Sequence, residues 1–412
     1  METFGIGILG CARIAKKNCR AVKKLSSSSC LQITAVASRS KEKAVDFVNE
    51  VVLRALDDGD GDDGAQQQTP RIFAGENAYD QLLNSVTRTT PLINAVYIPL
   101  PTMLHERYVA KALRSGKHVL LEKPVAPSSK SYREMLHAAS QNGKFLMDGT
   151  MFVHHPRTKH FVTSIPNPNR VTFNFTFDGG SDFLKNDIRL KKDGDPMGCI
   201  GDLGWYCVRM GLLVFSSHDA GMLVRDDGDG GTFVTAVQVV RYEVNEEGVP
   251  YDADCLVHFS GNRVLSFHCS FIHPLNQTVH ISGTGSKYTA TMTDPVLPRD
   301  GDVLSYTLVK QGLICYDEIT TEEVNEIQIE NSQVQEVCMW NNFARWARKV
   351  EQQTSSTSLW NGMNEQQWWM GDSAEVKDAN ANAFYSLYTA IVMDALMESI
   401  KFSGAKVQVK DM

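Results

Sequence analysis

At 412 residues the chain is longer than a single hydrophobic core usually supports, which predicts two domains. With 42% hydrophobic and 22% charged residues, it has the composition of an ordinary globular protein. A formal net charge of −7 argues against nucleic acid or an anionic membrane as its main partner.

Cysteine content and hydrophobic runs predict where the protein works. The nine cysteines show neither C-x-x-C spacing nor zinc-type Cys/His pairing, which favours reduced thiols in a reducing compartment. The chain opens with an apolar run at 4–9, and from this we expect no signal peptide before the fold. No apolar run approaches the roughly 20 residues needed to cross a bilayer. Together these features predict a cytoplasmic protein.

The first 150 residues alternate short apolar runs with stretches of helical spacing. This alternation is typical of β-α-β units and predicts an α/β domain over 1–150 with a Rossmann-type, doubly wound parallel sheet. Gly116 and Gly143 are placed to end two of the helices. The predicted strands are 6–9, 33–37, 93–98, 118–121 and 145–147, and the predicted helices are 14–24, 41–56, 105–115 and 131–142.

An acidic, glycine-rich stretch interrupts this pattern at about 57–70. Its first eight residues contain five aspartates and three glycines, and a glutamine triplet follows. The spacing does not match a calcium-binding loop, so the composition predicts a solvated insertion.

After residue 150 the hydrophobic period changes to strict alternation, as in Val171, Phe173 and Phe175. Alternation predicts an open, mainly antiparallel sheet with one buried face. The turn at 260–263 predicts a hairpin, and two amphipathic helices are expected at 334–350 and 383–400. The predicted second domain, 151–412, is therefore α+β and is expected to carry the substrate and dimerisation surfaces.

A turn that follows the first predicted strand resembles a dinucleotide-binding motif. Gly10, Ala12 and Ala15 match G-x-G-x-x-G/A with alanine at the second glycine position. Gly10 permits a tight turn, and the first amides of the helix, at Arg13 and Ile14, are available to a pyrophosphate. The alternative is a strand-helix turn that binds no ligand.

The second predicted strand ends in Ser38, Arg39 and Ser40, where an NAD-binding fold usually has a carboxylate for the ribose 2′-hydroxyl. An arginine flanked by two hydroxyls suits a 2′-phosphate instead. We therefore predict NADP as the cofactor, with NAD as the alternative. Arg39 as a solvated surface residue is the other interpretation.

Three further motifs lie where strands are predicted to end or a helix to begin. They are Pro99-Leu100-Pro101 with His105, Glu122-Lys123-Pro124, and Asp202 four residues before Tyr206. With the glycine turn, they resemble the Gfo/Idh/MocA oxidoreductases over nearly the whole chain. The stretches 147–157 and 182–189 are similar to a plant-type branch related to D-xylose dehydrogenase and dimeric dihydrodiol dehydrogenase.

The resemblance implies an assignment of site residues. Lys123 would lie beside the nicotinamide, and Asp202 and Tyr206 would complete the catalytic site. The implied cofactor-binding residues are Gly10, Ala12, Arg13, Ile14, Ser38, Arg39, Ser40, Pro99, Leu100, Pro101, His105, Glu122 and Lys123. The implied substrate-binding residues are His154, Arg157, Asn186, Arg189 and Trp205.

The implied catalytic residues also make chemical sense. Oxidation of a hydroxyl needs a base, and the ammonium of Lys123 would favour the phenolate of Tyr206. Asp202, one helical turn earlier, would position substrate or Lys123. Alternatively, Asp202 caps the helix and Trp205 and Tyr206 are packing aromatics. We expect no metal site at His154 and His155, because adjacent histidines rarely converge on one ion.

The predicted function is NADP-dependent oxidation of a sugar or vicinal diol, or the reverse carbonyl reduction. The resemblance implies a homodimer with a small-molecule substrate. A dinucleotide-sensing protein without turnover is the main alternative, although it would not need Lys123, Asp202 and Tyr206. An NAD-dependent glycosidase is the third, and the missing ribose-binding carboxylate disfavours it.

Overall fold

The computed structural model describes residues 3–53, 69–86, 91–217, 233–298, 304–310, 314–315, 318–319, 323–330, 333–353 and 374–409. The chain divides into two compact units. The first contains Met1–Ala126, Lys130–Met151 and Gln333–Phe384, and the second contains Pro127–Ser129, Phe152–Ser332 and Tyr385–Met412. The predicted acidic insertion lies outside the described residues except for its last two positions.

A six-stranded parallel sheet forms the centre of the first unit. Its strands are β1 (Phe4–Leu9), β2 (Leu31–Ser38), β3 (Arg71–Ala74), β4 (Ala95–Ile98), β5 (His118–Leu121) and β6 (Leu146–Asp148). They pair in the order β3-β2-β1-β4-β5-β6, which confirms the predicted doubly wound sheet. Strand β3 was not predicted, because its sequence Arg-Ile-Phe-Ala contains only two large apolar side chains.

Six helices accompany this sheet, namely α1 (Arg13–Lys24), α2 (Ser26–Ser29), α3 (Lys41–Phe47), α4 (Ala78–Leu83), α5 (His105–Arg114) and α6 (Ser129–Gln141). Gly116 and Gly143 follow α5 and α6 with φ of 71° and 58°, a backbone region that favours glycine. The helix predicted over 41–56 is α-helical only to Phe47 and continues as a π-helix over Val48–Leu53.

A nine-stranded sheet forms the centre of the second unit. Its members are β7 (Pro168–Asp178), β8 (Val234–Val244), β9 (Pro250–Phe259), β10 (Arg263–Ser270), β11 (Ile272–Gly283), β12 (Tyr288–Thr293), β13 (Ser305–Lys310), β16 (Glu323–Gln328) and β17 (Val407–Gln408). The two-residue strands β14 (Ile314–Cys315) and β15 (Glu318–Ile319) pair separately. Among the described pairs of the large sheet, β7 with β10 is the parallel one, so the mainly antiparallel prediction is confirmed.

The alternating pattern of β7 and β10 produces one apolar face. Val171, Phe173 and Phe175 are buried and lie beside Leu265, Phe267 and Cys269 respectively, while the residues between them are mostly half-exposed. The predicted hairpin joins β9 to β10 through 260–262, where Gly261 and Asn262 have positive φ.

The remaining helices are α7 (Pro156–Val162), α8 (Gly180–Asn186), α9 (Trp205–Ser216), α10 (Gln335–Gln353) and α11 (Ala374–Lys401). The predicted division assigned everything from 151 onward to the second domain. Instead, α10 groups with the first unit, where Trp340 Nε1 donates to Asn18 Oδ1 of α1 at 2.8 Å. None of the helices that the described residues form combines the length and the apolar character needed to cross a membrane.

Candidate cofactor and active site

A cavity of about 310 Å³ opens at the carboxyl ends of β1, β2 and β4. Seven residues predicted to bind the cofactor line it together, although they come from three separate stretches of the sequence. The lining consists of Gly10, Cys11, Ala12, Ser38, Arg39, Ser40, Lys43, Tyr79, Pro99 and Leu100. This is the edge of an open parallel sheet at which such folds bind ligands.

The turn after β1 brings the backbone close to the cavity. Gly10 has φ of 104°, and its N–H donates to the carbonyl of Ala37 at 2.8 Å. A Cβ at Gly10 would lie 3.0 Å from Leu100 Cδ2, so glycine is needed for both conformation and space. Ala12 is the extended N-cap residue of α1 and makes no side-chain cap hydrogen bond. The first amides of α1, at Arg13 and Ile14, therefore begin beside the cavity.

The turn after β2 forms a wall with cationic side chains. Ser38 Oγ accepts the N–H of Ser40, and Ser40 Oγ accepts the N–H of Lys43, each at 3.2 Å. Ser40 is thereby the N-cap of α3, and its hydroxyl proton stays available to a ligand. Arg39 is exposed, so its guanidinium is accessible from solvent. The lining contains no carboxylate, as predicted from the sequence.

Sequence reasoning missed three lining residues, Cys11, Lys43 and Tyr79. Lys43 had a signal, because it lies in the first turn of the helix that Ser40 caps. Tyr79 had none, since it is delivered by α4 from beyond the acidic insertion. Burial raises the pKa of Tyr79, and the nearby charge of Arg39 opposes that rise. The Tyr79 ring also packs edge-on against Tyr108 at 5.0 Å.

Glu122, at the end of β5, belongs to a buried hydrogen-bond chain. Trp340 donates to Asn18, Asn18 Nδ2 donates to Tyr97 Oη at 2.8 Å, and the Tyr97 hydroxyl donates to Glu122 Oε1. Burial raises the pKa of Glu122, whereas the Tyr97 bond and the charge of Lys123 lower it. Glu122 is 8% exposed and lies outside the cavity lining, which favours a positioning role over cofactor contact.

Lys123 follows on the same loop and is only half-buried, so its ammonium is accessible. Its backbone N–H donates to Glu122 Oε2 at 3.3 Å, and the Lys123–Pro124 peptide bond is cis. The chain of hydrogen bonds to Glu122 thus ends directly at the backbone of the predicted catalytic lysine.

His105, predicted to contact the cofactor, is fully buried at the start of α5. Its Nε2 lies 2.8 Å from the carbonyl oxygen of Leu100, and its Nδ1 lies 3.1 Å from that of Val125. The ring therefore links the loop that contains Pro101 to the loop after Lys123. This geometry corrects the prediction of direct contact, because no surface of His105 is left for a ligand.

In the second unit, Asp202 pairs with one of the predicted substrate residues. Asp202 lies in a π-helical turn, Ile200–Gly204, and its Oδ2 is 3.1 Å from Arg189 Nε. The Asp202 charge is the main reason that the pKa of Arg189 lies above its usual range, with a smaller contribution from Asp187. Gly204 is the N-cap of α9, so the alternative that Asp202 caps this helix is wrong.

Tyr206 and Trp205 begin α9 and have different surroundings. Tyr206 is 5% exposed and contacts the rings of Phe152 and Phe175, with centroids 5.9 and 5.7 Å away. Trp205 is fully buried, and its ring lies 5.8 Å from the Arg209 guanidinium. The predicted substrate contact of Trp205 is therefore corrected to a packing role.

The other predicted substrate residues do not form one cluster. Arg157 is buried, and its Nη2 donates at 2.8 Å to the carbonyl of Asp294, which follows β12. The predicted substrate contact of Arg157 is therefore corrected to a structural role. His154 is 5% exposed at the end of a 3-10 turn. Asn186 is exposed at the end of α8 and donates to Asp182 at 2.7 Å.

Comparisons with known proteins identify similar oxidoreductases. A profile of the oxidoreductase family with an NAD-binding Rossmann fold matches residues 4–150. The chain is 32% identical over 263 residues to dTDP-3,4-didehydro-2,6-dideoxy-alpha-D-glucose 3-reductase of Streptomyces violaceoruber, covering 59% of this chain and 68% of the relative. It is 28% identical over 307 residues to D-xylose 1-dehydrogenase (NADP(+)) 2 of Haloferax volcanii, covering 73% and 79%.

A solved structure also resembles the chain over nearly its whole length. It is a 3-ketoreductase from Actinomadura kijaniata in complex with NADP and TDP-benzene, with a TM-score of 0.68 and 20% sequence identity. The alignment covers 96% of this chain and 98% of that chain. This likeness confirms the fold, while the plant-type branch stays a prediction.

Proposed function

The chain belongs to the Gfo/Idh/MocA family of oxidoreductases, and on this basis we propose that it transfers hydride between NADP and a sugar or vicinal diol. The substrate carbon would carry a hydroxyl in one direction and a carbonyl in the other. The Streptomyces relative is named a reductase of a nucleotide-linked sugar, and the Haloferax relative an NADP-dependent xylose dehydrogenase. The observation that carries the proposal is the cavity, which is lined by the turn that contains Gly10 and by Ser38, Arg39 and Ser40 after β2.

The lining residues fit NADP. The positive φ of Gly10 and the uncapped start of α1 suit a pyrophosphate that must approach the backbone closely. Arg39 and Lys43 supply two cations, and Ser40 a hydroxyl, for a ribose 2′-phosphate. A carboxylate in this wall would repel that phosphate, which is why NADP is favoured over NAD.

When bound, the nicotinamide ring accepts or returns the hydride. In the oxidative direction the substrate hydroxyl loses its proton, and we assign Tyr206, in its phenolate form, as the group that takes it. The ammonium of Lys123 stabilises the negative charge that develops on the substrate oxygen. Asp202, whose Oδ2 lies 3.1 Å from Arg189 Nε, orients a substrate hydroxyl.

The test is reduction of NADP and of NAD by the purified protein with aldoses, inositols, trans-diols and a nucleotide-linked deoxysugar. Turnover with a sugar or diol, and a higher kcat/KM for NADP, is the expected result. Tight NADPH binding with no turnover on any substrate would favour the sensing alternative. Stoichiometric NAD that co-purifies and does not exchange would favour the glycosidase alternative.

We further propose that the protein is a cytoplasmic homodimer. Cys11, Cys19, Cys30, Cys199, Cys207, Cys255, Cys269 and Cys338 form no disulfide, which supports a reducing compartment. The nine-stranded sheet offers an extended face to a second copy, with half-exposed side chains such as Thr172 and Ser266. Analytical ultracentrifugation at micromolar concentration would contradict this proposal if it found monomer alone.

A further inference from the structure

Three potential metal ligands converge at one end of the nine-stranded sheet. They are Asp252 at the start of β9, His268 near the end of β10 and His273 at the start of β11. Each offers one nitrogen or oxygen atom, and these three atoms all lie within 4.8 Å of one another. Three separate strands thus bring two imidazoles and a carboxylate to a single point.

Hydrogen bonding accounts for only part of this arrangement. His268 Nε2 lies 2.8 Å from Asp252 Oδ1, which is a normal hydrogen bond. His273 Nε2 faces the same oxygen at 3.9 Å, beyond hydrogen-bond distance. Around a tetrahedral zinc ion, ligand atoms lie about 3.3 Å apart, given bonds of about 2.0 Å. The two observed separations bracket that value, so small side-chain shifts would complete the geometry.

The charge around the three ligands also favours a dication. Arg241 contacts three carboxylates, with Nη2 to Asp252 at 2.6 Å, Nε to Asp254 at 2.8 Å and Nη1 to Glu243 at 3.7 Å. With both imidazoles neutral, one guanidinium against three carboxylates leaves a formal charge of −2. A divalent cation would neutralise this charge.

The surroundings of Asp252 resemble a supporting shell for a metal ligand. Its side chain is fully buried. Arg241 holds Oδ2, and Oδ1 is thereby directed at the two imidazoles.

We propose that Asp252, His268 and His273 bind one divalent transition-metal ion of the zinc class. Two imidazole nitrogens and one carboxylate oxygen are borderline ligands of the kind that zinc prefers, and a water would take the fourth position. Metal binding at Nε2 requires the neutral His268 ring to exchange its single proton through solvent from Nε2 to Nδ1, so the imidazole stays neutral.

The experiment uses the full chain, freed of metal with a chelator and then titrated with Zn²⁺ in competition with a chromophoric chelator. His273 is the residue to change, because it is 46% exposed and His273→Ala should fold. His280→Ala is the matched control, since His280 is another histidine of β11 and bonds to Thr291 instead. Free thiols also bind zinc, so the measured quantity is the difference in stoichiometry between proteins.

We expect His273→Ala to bind one Zn²⁺ per chain fewer than wild type, and His280→Ala to bind the same number as wild type. Zinc should raise the Tm of wild type and of His280→Ala but not of His273→Ala. Equal stoichiometry in wild type and His273→Ala would overturn the proposal, as would an equal loss in both variants.

Discussion

Tyr97→Phe tests whether the buried hydrogen-bond chain behind Lys123 stabilises the first unit. The change deletes one hydroxyl and keeps the ring, so no large cavity forms. Glu122 loses a donor, and a bond to a buried charged group contributes about 1.5–3 kcal/mol. Asn18 Nδ2 loses the Tyr97 oxygen as an acceptor but keeps the carbonyl of Ile14 at 3.3 Å. The lost bond adds roughly 0.5–1 kcal/mol to the destabilisation. The total is a destabilisation of about 2–4 kcal/mol.

Thermal unfolding is the assay, and a loss of this size lowers the Tm by roughly 5–12 °C in a domain of 150–250 residues. The deficit should depend on pH. Burial already makes the pKa of Glu122 higher in the folded state than in the unfolded state. The protein therefore loses stability as pH rises from the pKa that Glu122 has in the unfolded state through the pKa that it has in the folded state. Removal of the Tyr97 bond raises the pKa of Glu122 further, and the deficit should therefore grow as pH rises above the usual pKa of a glutamate and through the raised pKa of the folded state.

Tyr108→Phe is the matched control, because Tyr108 is a similarly buried tyrosine of the first unit, 9% exposed. It should change stability by no more than about 0.5 kcal/mol. Equal Tm values for the two variants, or a Tyr97→Phe deficit that is independent of pH, would refute the reasoning. Under the proposed function, Tyr97→Phe should also lower kcat more than it raises KM for NADP, because Glu122 holds the backbone of Lys123.

Three further predictions concern single charges. Arg39→Asp should lower kcat/KM for NADP by about 100-fold, because it removes a charge-assisted hydrogen bond to the 2′-phosphate and adds charge repulsion. The kcat/KM for NAD should change by only a few fold. Equal losses with both cofactors would contradict the assignment of Arg39 to the 2′-phosphate. Lys123→Met should keep NADPH binding, measured by fluorescence, and lower turnover by at least about 100-fold, while unchanged turnover would refute the assignment. Glu351 accepts a hydrogen bond from Lys144 at 3.2 Å, and its Oε1 lies 3.1 Å from His118 Nε2; this contact with His118 is the main reason that the pKa of Glu351 falls to about 2. Its folded pKa is depressed, so its stabilisation is present at neutral pH and lost as pH falls from about 4.5 toward 2. Glu351→Gln should thus lower stability by about 1 kcal/mol at neutral pH after solvent screening, with a difference that shrinks below about pH 4.5 and disappears only as pH falls to about 2; a constant difference would contradict this.

The sequence predicted the elements whose hydrophobic pattern is long and regular. The first sheet was recognised because its strands are continuous apolar runs, and the second because Val171, Phe173 and Phe175 alternate with polar residues. Strand β3 was missed because it is a four-residue edge strand. The grouping of α10 with the first unit was also missed, since it depends on long-range contacts such as that of Trp340 with Asn18.

Side-chain roles were harder to predict than their places in the fold. His105, Arg157 and Trp205 lie in or beside the motifs predicted to contact ligands, yet all three are buried and contact backbone or core instead. A motif gives the position of a residue along the chain but not the direction of its side chain. Conversely, no sequence pattern indicated Tyr79 in the cavity or the contact of Asp252 with His268. These residues come from separate elements that lie close together only in the folded structure.

The hydrogen bonds of the first unit explain how the proposed site is kept in shape without a ligand. Three loops follow β1, β4 and β5, and each is tied to another by a buried side chain. His105 joins the carbonyl of Leu100 to that of Val125, and Tyr97 joins Asn18 of α1 to Glu122. Because these partners are backbone groups or fully buried side chains, the loops cannot move apart without leaving polar groups unsatisfied. Helix α1, the loop after β4 and the backbone of Lys123 are therefore organised before any cofactor arrives, which lowers the entropic penalty of binding.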